Sequence, residues 1–234
     1  RRWFVKFSVV IPTWNEGIQI SSALKRLRQV SSSSPVEIIV VDGNSSDETA
    51  SLAKPWADQV VSLPRTNRGE QLDEGARKAS GDLLFFLRAD CQPPDNWQQA
   101  LEHFWLSSEA RKASATAFTV DYGSGLALRL ASRWSNNRVA WRGTVLGDHG
   151  LCTTPEIYRD CGGFPHYACL EDLEFCKRLS LRGPIVLLPG RIWPAARGMR
   201  RDGPLRNGLQ RLWLRLRFSF GASPEDLWRA YRGL

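Results

Sequence analysis

Leu83-Leu84-Phe85-Phe86-Leu87-Arg88-Ala89-Asp90 is the stretch whose reading decides the fold. Five apolar residues run into a charged end, and Cys91-Gln92-Pro93-Pro94 then turns the chain away. A short continuous apolar run bounded by turn residues reads as a strand buried on both faces, as in a parallel sheet covered by helices. In open sheets of that kind ligands gather beyond the carboxyl ends of the strands, which is where Asp90 falls. An aspartate there can also do no more than hydrogen-bond the following turn. Its meaning depends on how the other strands end.

They end the same way. Phe7–Ile11 is an apolar run halted by Pro12-Thr13-Trp14-Asn15-Glu16-Gly17, and Val36–Val41 is another that stops at Asp42-Gly43-Asn44. Between them Ile20, Leu24 and Leu27 recur at helical spacing. Ser45 with Glu48 reads as a capping box opening a helix to about Lys54. A strand at Gln59–Leu63 and a helix at about Arg68–Ser80 follow. Strands alternating with helices predict right-handed βαβ units, hence an α/β chain with a mostly parallel, Rossmann-like sheet flanked by helices. In such a sheet Pro12, Asp42 and Asp90 share one edge and can line one crevice.

Past Asp90 the pattern loosens. Asp95 is expected to cap a helix carrying Trp97, Leu101, Phe104 and Trp105, and Ala115–Val120 reads as a strand. The stretch from Asp121 to Asp148 holds Arg129, Arg133, Arg138 and Arg142 among Trp134 and Trp141, and reads as a helix plus a mobile loop. After a short strand at Leu151–Thr153, Thr154 is an N-cap with Pro155 in the first helical position, and Gly162-Gly163 ends that helix. Leu170-Glu171-Asp172-Leu173-Glu174 opens a helix that Gly183 stops, and Pro184–Leu188 is the last strand. Pro189–Pro204, rich in Arg, Gly and Pro, reads as a loop. Leu205, Leu209, Leu212, Trp213, Leu216 and Phe220 then form an apolar stripe at helical spacing beside Arg206, Arg211, Arg215 and Arg217. That C-terminal amphipathic helix suits core or subunit packing, and its arginines also suit an anionic bilayer.

Composition narrows the classes. The 234 residues carry 32 Lys and Arg against 24 Asp and Glu, a net charge of +8 that calls for an anionic partner. The charges are scattered and no nucleic-acid motif accompanies them, which argues against a nucleic-acid partner. Five cysteines, an odd count without a CxxC pair, argue against a disulfide framework and a structural zinc site, and fit reduced cytosolic thiols. No apolar run approaches the ~20 residues of a membrane span. The chain opens on Arg1, as a processed or trimmed chain does, and Arg1–Lys6 lacks the apolar stretch of a signal peptide.

Taken together, Ser8–Glu16 (SVVIPTWNE), Ile39–Asp47 (IVVDGNSSD), Arg68-Gly69-Glu70-Gln71, Leu87-Arg88-Ala89-Asp90, Gly147-Asp148-His149, Gly162-Gly163-Phe164, Leu170–Glu174 and Phe220–Pro224 resemble the inverting, nucleotide-sugar-dependent glycosyltransferases of family 2, which have the GT-A fold. The likeness covers nearly the whole chain and is nearest to a bacterial subfamily of small single-domain members. It implies one domain over 1–234, with a nucleotide-binding half to residue 120, an acceptor-side half over 121–204 and a helical tail over 205–234.

The resemblance also implies roles. Pro12, Thr13, Asn15 and Glu16 would form the nucleotide-side loop. Asp42 would bind base or ribose, Arg68 would approach the nucleotide, and Asp90 would serve the diphosphate and a divalent metal, Mn²⁺ or Mg²⁺. Asp172 would be the general base, with Glu171 and Asp148 on the acceptor side. The donor would be a UDP-sugar or another nucleoside-diphosphate sugar. The acceptor hydroxyl is left open, a lipid-linked one among the candidates. The chain would be cytoplasmic, with a peripheral place at the inner face of the membrane as the alternative, and a homo-oligomer is allowed.

Two positions depart from the subfamily. Arg88 stands where it usually has His and the wider family an acidic residue, and an arginine neutralises phosphate but cannot ligate a metal. Glu70 stands where a basic residue is common. Arg88 also keeps open a reading of another class, a non-catalytic relative that binds nucleotide-sugar or glycan without turnover.

Overall fold

A computed structural model describes residues 5–195 and 203–232. Eight strands form one sheet: β1 (Phe7–Thr13), β2 (Val36–Asp42), β3 (Gln59–Ser62), β4 (Leu83–Phe86), β5 (Cys91–Gln92), β6 (Ala115–Val120), β7 (Leu151–Thr153) and β8 (Ile185–Pro194). The helices are α1 (Ile20–Gln29), α2 (Thr49–Ala53), α3 (Arg68–Lys78), α4 (Trp97–Trp105), α5 (Leu126–Arg142), α6 (Pro155–Asp160), α7 (Glu171–Arg182), α8 (Pro204–Ser219) and α9 (Pro224–Arg232).

The spatial order is β3-β2-β1-β4-β7-β6-β8-β5. The first four strands are parallel, with Thr13 opposite Asp42 and Val10 opposite Phe86, so their carboxyl ends do share one edge. β7 enters antiparallel between β4 and β6, and β5 closes the far side antiparallel to β8. The sheet is therefore mixed beyond β4.

Burial on both faces explains the continuous apolar runs. Alternate residues of β4 part company. Phe85 stacks on Trp97 of α4 with centroids 5.1 Å apart, while Phe86 meets Phe164 edge-on at 4.9 Å. Two cores result, one under α1 and α4 and one under α3 and α7.

Several expectations are corrected. Ser45 does not cap a helix: its hydroxyl donates to Asp42, and α2 starts at Thr49, whose backbone N–H donates to Asp47 Oδ1 (3.0 Å). Asp95 pairs with Arg26, and α4 follows Asn96. The loop expected after Leu188 is instead the second half of β8. Gly190, at φ 125°, forms a bulge there, after which Arg191 and Ile192 pair with Thr119 and Val120. The remainder of that expected loop, 196–202, lies outside the described residues, as do the side chains of Leu205, Arg211 and Arg142. The C-terminal stripe does not pack inward. Leu209, Leu212, Trp213, Leu216 and Phe220 are exposed, and Leu214, off the stripe, is buried.

Candidate active site

Three groups of side chains stand at the carboxyl edge of the sheet. The first is built where β1 and β2 end. Asp42, buried, accepts from Thr13 Oγ1 (3.1 Å), Ser45 Oγ (2.5 Å) and Ser45 N (2.9 Å). Asn15 adopts the left-handed conformation (φ 52°), which lets its N–H donate to Ser45 Oγ and its side-chain oxygen accept from Ser46 N, each at 2.9 Å. Glu16 continues the loop through its N–H, which donates to Thr49 Oγ1 (2.8 Å). Pro12 and Thr13 belong to β1 itself. Gln71, on α3 and buried, donates one amide to Thr13 O (2.7 Å) and Val41 O (2.8 Å). It ties the two strand ends together, a role the sequence did not disclose.

The second group lies past β4. Arg88 donates to both oxygens of Asp90, Nε to Oδ1 at 3.0 Å and Nη2 to Oδ2 at 3.2 Å, and its Nη1 is 3.2 Å from Asp148 Oδ1. The Asp90 charge, with help from Asp148, holds the Arg88 pKa well above its usual value despite burial. Tyr122 donates its hydroxyl to Asp148 Oδ2 at 3.1 Å. Asp148, expected on the acceptor side, thus stands with Asp90.

The third group is Arg68, Glu171 and Asp172. Arg68 grips Glu171 with both Nε and Nη2, the latter at 3.0 Å, and lies 3.9 Å from Asp172 Oδ2. Glu171 is 1% exposed. Burial raises its pKa, and Arg68 works against that rise. Glu171 therefore anchors Arg68, which reaches across to the N-terminus of α7. Asp172 accepts from Gly147 N (3.1 Å) at Oδ2 and from Leu173 N (2.9 Å) at Oδ1. Its side chain keeps 13% exposure. Leu170, left-handed at φ 63°, swings the chain into α7 so that these carboxylates meet a helix N-terminus, which favours negative charge.

Gly147 joins the second and third groups, since a Cβ there would sit 3.2 Å from Arg88 Cδ. Behind Asp148, His149 is fully buried, with Nδ1 2.9 Å from Phe118 O and Nε2 3.0 Å from Ser135 Oγ. Desolvation lowers its pKa to about 4, so it stays neutral. Glu70 pairs with Arg65 (3.3 Å).

The donor set bears on a divalent cation. Among the described residues no three His, Cys, Asp or Glu side chains converge as a ready cage. Yet Asp90, Asp148, Glu171 and Asp172 outnumber Arg88 and Arg68, leaving the two groups formally negative. Hard carboxylate oxygens suit Mg²⁺ or Mn²⁺, and an oxygen that accepts from arginine keeps a further lone pair. Such ions are commonly held by one or two carboxylates plus substrate phosphates. The residues fit an ion that arrives with phosphate, with Arg88 orienting Asp90.

The chain is similar to known proteins. A glycosyltransferase of Haloferax volcanii, AglE, is 32% identical over 188 residues, which is 75% of this chain and 62% of that protein. The chain thus spans less than two thirds of that relative's length. A Pyrobaculum calidifontis mannosyltransferase solved with GDP-Man and Mn²⁺ superposes with a TM-score of 0.61 at 19% identity, over 80% of this chain and 57% of that one. The glucosyl-3-phosphoglycerate synthase of Mycobacterium tuberculosis, solved with Mn²⁺, UDP and glucosyl-3-phosphoglycerate, gives 0.59 at 22% identity, over 80% and 70%. The curled mixed sheet with its flanking helices is the GT-A architecture of these enzymes. The profile described as Glycosyl transferase family 2 matches residues 8–144, more than half of the chain, and the chain belongs to that family.

Proposed function

We propose that the chain transfers a sugar from a nucleoside-diphosphate sugar, a UDP-sugar in the first instance, to an acceptor hydroxyl by a single displacement that inverts the anomeric carbon. The observation that carries this reading is Asp172. It is a partly exposed carboxylate fixed by two backbone N–H groups and joined through Gly147 to the Arg88–Asp90–Asp148 group.

In such a displacement the acceptor oxygen bonds to the anomeric carbon as the bond to the diphosphate oxygen breaks. The acceptor proton passes to Asp172, and negative charge grows on the diphosphate. An alcohol is far less acidic than a carboxylic acid, so Asp172 takes the proton as the new bond forms. Arg68 stands close enough to Asp172 to stabilise its carboxylate, and Glu171 fixes Arg68. Asp42 and the Thr13–Glu16 loop provide the nucleotide side. Asp90 would hold Mn²⁺ or Mg²⁺ delivered with the donor, and a bound divalent ion neutralises charge on the departing diphosphate. Lipid-carried hydroxyls are the acceptors to try first.

Asp172→Asn keeps the shape and removes the basicity. Donor affinity should stay near normal while transfer falls by roughly 10²–10⁴. Wild-type turnover in the Asn variant sinks the mechanism. One observation favours a binding protein without turnover: Arg88 covers both oxygens of Asp90. Release of nucleoside diphosphate from any sugar donor, even by slow hydrolysis, decides against that reading.

A further inference from the structure

Nine large apolar side chains on or just after α5 and α8 face outward: Leu126, Leu130, Trp134 and Trp141 on the first, and Leu209, Leu212, Trp213, Leu216 and Phe220 with the second. Each is between 42% and 89% exposed. Single exposed leucines are ordinary, but a concentration like this marks an interaction surface. The two helices touch each other. Arg217 lies over the Trp213 ring at 5.2 Å.

Charge follows the same map. From Tyr122 to Gly147 there are four arginines and no Asp or Glu, and from Gly203 to Ala222 the count is again four and none. These two segments hold the whole net charge of +8, and the rest of the chain balances to zero. Concentrated arginine with Trp, Leu and Phe, and no acid, is the composition of a helix that lies in the headgroup plane of an anionic bilayer. Among the described residues no helix is long and apolar enough to cross a membrane, so these helices would lie on the bilayer.

The inner face of α5 shows what such contact would serve. Asn136 Oδ1 accepts from Val120 N (2.8 Å), and Ser135 meets His149, the neighbour of Asp148. Cys169, just before Glu171 and Asp172, donates to Pro224 O at the start of α9. The exposed face is thus separated from the catalytic edge by about one helix diameter, ~10 Å.

We propose that the outer faces of α5 and α8 dock the protein on anionic phospholipid, about one helix diameter from the carboxylate-lined edge of the sheet. A second copy of the chain is a poorer occupant, because a two-fold interface would set two arginine-rich faces against each other. Nucleic acid would use the arginines but leave the leucines wet. This inference goes beyond the transfer reaction and stands without it.

Co-sedimentation of the full chain with phosphatidylcholine vesicles, with and without phosphatidylglycerol, tests it. Binding should require the anionic lipid, weaken with salt and shift the tryptophan fluorescence to the blue. Arg129→Ala with Arg133→Ala should lower partitioning by roughly fivefold per arginine. Trp134→Ala with Trp141→Ala should remove most of the blue shift, and donor hydrolysis in solution should stay at the parent rate in both variants. The inference is overturned by equal binding to neutral vesicles, by no binding at all, by variants that partition like the parent, or by a dimer or an oligonucleotide complex that buries these tryptophans. Donor hydrolysis with no vesicle binding would overturn the docking alone; vesicle binding with wild-type turnover in Asp172→Asn would overturn only the proposed transfer.

Discussion

At the scale of residues the site is a problem of charge placement. Arg88 stabilises two aspartates that would otherwise repel each other, and it also opposes a cation bound to them. Arg88→Ala should therefore raise the affinity of the nucleotide-free protein for Mn²⁺, by about tenfold or more on Coulomb grounds. Calorimetry on parent and variant reads this directly, and unchanged affinity would count against Asp90 as the ligand. In the parent, stripping divalent ions with EDTA should weaken UDP binding, because the diphosphate then meets a site with more carboxylates than guanidiniums.

His149 gives a pH dependence. Its folded pKa of about 4 lies below the usual ~6.5, so between those values the unfolded chain binds more protons. Stability from this group is fully present above pH ~6.5 and is lost as the pH falls toward 4, by about 3 kcal/mol in all. Urea melts between pH 7 and 4.5 should show that slope, and His149→Gln should flatten it. What was legible at this scale was position. Asp42 and Asp90 announced themselves by ending apolar runs. The Arg68–Glu171 pair did not, since 103 residues separate its members and no local pattern encodes so distant a partner.

At the scale of elements, glycine placement fixes how α3 meets the loop before α7. A Cβ on Gly69 would lie 1.9 Å from Pro165 O, and Gly69 N donates to Tyr167 O at 3.0 Å. Both sides of that contact are backbone and cannot step aside cheaply. Gly69→Ala should cost roughly 1–3 kcal/mol and should move Arg68 relative to Glu171. In a chain of this size the loss appears as a Tm lower by about 2–4 °C per kcal/mol. A Tm and donor affinity equal to the parent's would show that the loop yields freely. Elements with caps and periodicity were readable, as Thr154 and Gly183 show. β8 was not, because Pro189, Gly190 and Pro194 imitate a loop while a bulge absorbs them. α8 misled for another reason. An apolar stripe tells that one face avoids water, not whether protein covers it.

At the scale of the molecule, the part of the chain before residue 120 and the part after it are not separable bodies. Val10, Leu84 and Phe86 of the first strands are covered by Phe164, Tyr158 and Phe175 from the second half. A fragment ending at residue 120 should therefore fail to unfold cooperatively, and circular dichroism melts of the fragment against the full chain check this. A sharp transition in the fragment would contradict the shared core.

That shared core sets a timetable for synthesis. Phe86 leaves the ribosome long before Phe164 and Phe175, the rings that cover it. At 5–20 residues per second the gap amounts to roughly 5–20 s. Throughout it a nascent parallel sheet shows one bare aromatic face, which is time enough for a chaperone to bind or for two neighbouring chains on one message to stick together.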